Sequence, residues 1–138
     1  MKLSKLLILL VSVILMSFML VSTLPACSIQ TDEDKITENV LRAVNTGDYN
    51  KYLNSFYEEL RPGVQIEQDW NEDVAAIKNI YGEYENNSLE FWKTEAEDSS
   101  TVRYYKTKFT KNPEVIIKAA FQDFDGKNEL IGFWLVQE

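Results

Sequence analysis

Apolar residues follow three different rhythms along this chain. From Leu6 to Leu24 they run almost unbroken, interrupted only by Ser12, Ser17, Ser22 and Thr23. Between residues 31 and 81 they recur every three or four positions, the spacing that lines up one face of a helix. Ile36, Val40, Leu41 and Val44 predict a first helix, capped by Thr31 or Asp32, with Glu33 and Asp34 at its positive end and Gly47 as its stop. Asp48 is placed to cap a second helix with Tyr49, Tyr52, Leu53 and Phe56 on one side. Pro62-Gly63 marks a turn. Trp70, Val74, Ile77 and Tyr81 predict a third helix, starting near Glu67 and ending at Gly82 in a left-handed cap.

From Asn87 the period becomes two. Four strands are predicted at Leu89–Glu97, Thr101–Thr110, Glu114–Asp123 and Glu129–Gln137. The turns between them fall at Asp98-Ser99-Ser100, Lys111-Asn112-Pro113 and Asp125-Gly126. Three helices followed by a four-stranded meander is an α+β order, with the helices on one face of an antiparallel sheet. The last hairpin admits two registers. A two-residue turn puts Val115, Ile117, Ala119 and Phe121 on one face with Leu130, Gly132, Trp134 and Val136. A three-residue turn with a glycine bulge puts them with Ile131, Phe133 and Leu135 instead. Under either register the fourth strand is apolar on both sides, so its outer face is expected to be covered, most simply by a second copy of the domain or by an envelope protein.

The unbroken run has its own meaning. Lys2 and Lys5 precede it, giving the positive start and apolar centre of a secretory signal. Its nineteen residues would reach about 28 Å as a helix, close to a bilayer's hydrocarbon thickness, so an uncleaved anchor is the competing reading. Leu24-Pro25-Ala26-Cys27 decides for cleavage, because it resembles the lipobox of bacterial lipoproteins. That resemblance implies a Cys27 that is acylated and becomes the new N-terminus. The expected organisation is a signal peptide over 1–26, a tether over 27–34 and one domain over 35–138. Without Lys2 and Lys5 the remainder carries twelve basic against 22 acidic residues, a net charge of −10, and it has no histidine. Such a domain does not suit a nucleic-acid backbone. A single cysteine excludes an internal disulfide and a cysteine-built zinc site.

Several stretches of the domain resemble nuclear-transport-factor-2-like lipoproteins. They are Asp48-Tyr49, Trp70…Ile77…Tyr81-Gly82-Glu83-Tyr84, Val115-Ile116-Ile117, and Asp125-Gly126-Lys127…Ile131-Gly132-Phe133. The resemblance covers residues 32–138 and implies a cystatin-like cone, a curved sheet around which the helices close. It says little of function, because that fold carries isomerases, dehydratases, scaffolds and many non-enzymes.

The candidate chemistry is sparse. Asp123 to Glu129 has the look of a calcium loop, but Lys127 and Trp134 fall where ligands are needed, so a hairpin turn is the reading. The strand acids Glu90, Glu95, Glu97 and Glu114 could serve a cavity enzyme together with a tyrosine. Arg103, Lys106 and Lys108 on the neighbouring strand make cross-strand ion pairs the simpler use of the first three. No nucleophile and base can be assembled, so no catalytic residue, metal site or cofactor is assigned. Trp92, Tyr104, Phe133 and Trp134 are the candidates for a pocket or an interface, beside Tyr105. Arg103, Lys106, Lys108, Lys111 and Lys118 are the basic residues that could meet anionic partners. The sequence therefore predicts an extracytoplasmic, lipid-anchored binding or scaffolding domain, with a small isomerase or dehydratase as the alternative.

Overall fold

A computed structural model describes residues 30–136. The leader, Cys27 and the first residues of the tether, 27–29, lie outside the described residues. Helix α1 (Asp32–Thr46) is capped by Thr31, whose hydroxyl accepts from Asp34 N–H while the Asp34 carboxylate accepts from Thr31 N–H. It ends at Gly47 in the left-handed conformation, φ 68° and ψ 30°. Helix α2 (Tyr49–Asn54) starts on the Asp48 cap but stops two residues before Phe56. Phe56 instead forms a parallel bridge with Leu130, and Tyr57 N–H donates to the Leu130 carbonyl. The apolar spacing of Phe56 is thus met by strand-like backbone, not by a longer helix. Glu58–Gly63 forms a 3-10 helix where a simple turn was expected. Helix α3 (Glu67–Tyr81) matches its expected span.

Gly82, which follows α3, is not the left-handed helical cap its position suggested. Its φ of 82° and ψ of −152° lie in a region essentially reserved for glycine. A Cβ there would come 2.1 Å from Thr110 Oγ1. The chain needs that contact to bring Glu83 and Tyr84 against the second strand, where Glu85 N–H and Lys108 N–H bind the Lys108 and Ser88 oxygens.

The strands are β1 (Glu90–Glu97), β2 (Ser100–Phe109), β3 (Asn112–Phe124) and β4 (Lys127–Val136), paired antiparallel in that order. Each neighbouring pair contains one bulge. Trp92 is the extra residue in β1 and Ile131 in β4. In β3 the irregularity falls at Pro113 and Glu114, opposite Lys108. Pro113 was expected in a turn; it lies within the strand instead, at a break in the ladder where its missing N–H costs least.

The β3–β4 hairpin uses both registers considered above, one on each side of Ile131. At the turn, Asp125 and Gly126 have φ of 56° and 82°, the signature of a two-residue type I′ turn, and Phe121 pairs with Leu130. Beyond the bulge, Ala119 pairs with Phe133 and Ile117 with Leu135. The inner face therefore takes Leu130, Phe133 and Leu135 from β4, and the outer face takes Gly132, Trp134 and Val136. A bulge inserts one residue and flips the alternation of everything after it.

Helices and the Phe56 segment cover the inner face. Val40, Leu41, Phe56, Tyr81 and Tyr84 pack with Tyr105, Phe109, Ile117, Phe121 and Leu130 in one core. Trp70 forms a second centre with Val44 and Val74, and its ring meets Tyr49 and Tyr52 at 5.6 and 5.3 Å between centroids. No helix among the described residues is long and apolar enough to cross a membrane.

Candidate functional site

The outer face of the sheet holds three of the four candidate aromatics. Pairing aligns Lys93 with Tyr104, Tyr104 with Lys118 and Lys118 with Trp134, one row across all four strands. Cation and ring alternate along it. Lys93 Nζ lies 4.5 Å from the Tyr104 ring centre and 5.1 Å from that of Trp92, and Lys118 Nζ lies 5.5 Å from that of Trp134. The β1 bulge turns Trp92 onto this face too, edge-on to Tyr104 at 6.5 Å and within 5.3 Å of Lys106 Nζ.

The two indoles are the exposed members, Trp92 at 47% and Trp134 at 50%. Trp134 lies over Gly132, where the position of a Cβ would fall 2.1 to 2.9 Å from its six-membered ring. Only glycine lets the ring lie so close to the sheet. Beside it, Val102, Ile116 and Ala120 are buried yet stand outside the helix-covered core. The outer contribution of β4 is narrower than expected: Trp134 and Val136 point outward, and Leu130 is turned into the core.

Carboxylates balance the lysines of this face. Glu95 accepts from Lys93 and, at 3.0 Å, from the Tyr104 hydroxyl. Glu114 pairs with Lys106 and Glu97 with Lys118, each at 3.3 Å. Hydrogen bonds from Lys93 and then Tyr104 hold the Glu95 carboxyl below its usual range. The expected partners thus differ from those found. Glu90 does stand opposite Lys106 in register, but Arg103 leaves the group altogether. All four strand acids are exposed, so none lines the interior as a cavity enzyme of the expected kind would need. The basic residues do not form one patch either, since Arg103 turns to Asp34 and Lys111 donates to the Asn79 carbonyl.

The buried polar chemistry comes from α1, which sequence patterning did not single out. Asp34 Oδ1 accepts from Arg103 Nη2 and from the Tyr105 hydroxyl, both at 2.9 Å, and Arg103 Nε donates to the Tyr105 oxygen at 2.8 Å. Burial pulls the Asp34 carboxyl up, but Thr31 N–H, Tyr105 and Arg103 together hold it below its usual range. Burial pushes the Tyr105 hydroxyl up to about 12. One turn on, Glu38 is 6% exposed and accepts from the Tyr84 hydroxyl, Arg42 Nε and Asn87 N–H. Asn45 continues the row, its amide bonding both the N–H and the carbonyl of Tyr84. No buried side-chain polar atom among the described residues lacks a partner. These groups clamp α1 to the sheet; spaced at 34, 38, 42 and 45, they form a helical stripe beside the apolar one, and that spacing was the available signal.

Phe133, the fourth candidate aromatic, stands outside the row. It faces inward beside Leu135, in a groove of about 360 Å³ between α3 and β4 that Trp134 also borders. No protein-family model matches the chain, and no curated protein matches it.

Proposed function

We propose that this chain is a lipid-anchored extracytoplasmic lipoprotein, of the nuclear-transport-factor-2-like kind with a cystatin-like cone, whose domain is a non-catalytic scaffold or binding module. The observation that carries the reading is the alternating row Lys93, Tyr104, Lys118, Trp134 on the outer sheet face. Such a row is its own complement. Two sheets placed face to face about a two-fold axis parallel to the strands reverse the row, so each lysine meets a ring of the other copy. Each such contact is worth about 0.5–2 kcal/mol, more as water leaves. The ion pairs to Glu95, Glu97 and Glu114 keep this face near neutral on a chain of net charge −8, so two copies can approach here without strong repulsion. Anchoring rests on Cys27 and the apolar leader before it. Confinement to a membrane surface raises the local concentration of copies and favours pairing.

The test uses the full chain expressed in a bacterium. Labelled fatty acid should enter the wild type and not Cys27→Ser. Crosslinking in membranes should give a dimer that Trp134→Lys combined with Trp92→Lys abolishes while the monomer keeps its circular dichroism. Equal labelling of both chains would refute the anchor, and an unchanged dimer would refute the face.

A further inference from the structure

Among the described residues, the outer edge of β4 is paired over only part of its length. At Leu130 that side is occupied, because Tyr57 N–H donates to the Leu130 carbonyl at 2.9 Å and Phe56 bridges it in parallel. The chain then leaves the edge for the 3-10 helix at Glu58. From Ile131 to Val136 no strand among the described residues pairs with this edge. Edges of this kind are templates for another strand. Beside it runs the groove of about 360 Å³, lined by Tyr52, Trp70, Ile77, Tyr81, Phe133 and Leu135. Phe133 and Leu135 are only partly buried there, although both face the helix layer.

We propose that the β4 edge and this groove bind an extended, cationic peptide segment by strand addition. The peptide backbone would pair with β4 from Ile131 onward, and every second side chain would enter the groove. Of the outer-face row only Trp134 also borders this groove, and the β4 backbone edge belongs to neither face. Three observations carry the inference. The chain already pairs one short strand-like segment, Phe56-Tyr57, with this edge at Leu130, immediately before the unpaired stretch. The groove is apolar in its depth. Its lip carries one carboxylate, Asp73, held to Gln65 Nε2 at 2.6 Å. The one lysine of helix α3, Lys78, is turned away to the Asn45 carbonyl and leaves Asp73 unopposed on that helix. Apolar depth with an anionic lip selects alternating apolar residues flanked by Lys or Arg.

The experiment takes the full chain in detergent micelles with two synthetic peptides of alternating Val and Thr, one flanked by lysines and one by glutamates. Hydrogen exchange at those amides of 131–136 that do not bond to β3 should slow at least tenfold with the lysine peptide. The glutamate peptide should bind at least tenfold more weakly, and Asp73→Lys should reverse that preference. Ile80→Lys, at an exposed position of the groove wall, should lose both peptides while the chain stays folded by circular dichroism. No protection, or equal protection by both peptides, would overturn the proposal. Slow exchange at those same amides without any peptide would also overturn it. If dilution then restored exchange, the occupant would be a second copy; if only removal of residues 1–29 did so, it would be the chain's own N-terminal segment.

Discussion

Two tryptophans have fates opposite to their sequence surroundings, Trp70 among polar and acidic residues and Trp134 among apolar ones. Trp70 is 2% exposed and wedged between Tyr49, Tyr52 and Val74, whereas Trp134 lies half-exposed over Gly132. Trp70→Ala should therefore cost about 3–5 kcal/mol in urea unfolding, the range for a large core side chain. Trp134→Ala should cost about 1 kcal/mol, because half its surface is already in water. Equal losses would show that the outer face is as tightly packed as the core. Trp70 was legible from its helical spacing. Trp134 was not, because its side depends on a bulge at Ile131 that alternation cannot register. Asp34 and Glu38 were hidden for a different reason: a charged residue near a helix start reads as solvated unless its distant partners, here Arg103 and Tyr84, are known.

At the scale of elements, patterning located every strand and the two long helices, and it missed where regular structure is interrupted. The helical spacing of Tyr52 and Phe56 extends past the helix, which ends at Asn54, yet the two rings do touch, with centres 5.1 Å apart. Side-chain spacing reports neighbours, not backbone hydrogen bonds. The junction between α3 and the sheet is the most constrained connection. Gly82 combines a glycine-only conformation with a 2.1 Å approach to Thr110, whose N–H binds the Glu83 carbonyl. Gly82→Ala should lower stability by about 2–4 kcal/mol, from backbone strain and displacement of Thr110 together. Thermal unfolding would measure it, and a neutral result would mean the junction relaxes freely. Gly126→Ala, with open space around its Cβ position, should cost less.

For the whole molecule, the joint among Asp34, Arg103 and Tyr105 links the first helix to the second strand. The folded state holds the Asp34 carboxyl below its reference value of 3.8. Its contribution to stability is thus complete above pH 3.8 and is lost as pH falls through the lower, folded value. Asp34→Asn should destabilise the protein by about 1–3 kcal/mol at pH 7, because it leaves a partly buried guanidinium without its charge partner. The gap between variant and wild type should close as unfolding is measured below pH 3.8. A gap independent of pH would mean the joint works through shape alone. The joint also sets a load path. A pull on the chain at Gln30 arrives at Thr31 and Asp34, and Asp34 passes it sideways to Arg103 on an interior strand. Without that link, tension would open α1 one turn at a time, each hydrogen bond failing alone. With it, the first turn cannot yield until a charged, doubly bonded carboxylate is torn from the sheet. The N-terminal end of the described fold is thus built as a clasp, and force passes from the first turn of α1 straight to an interior strand before it can unwind the turns behind it.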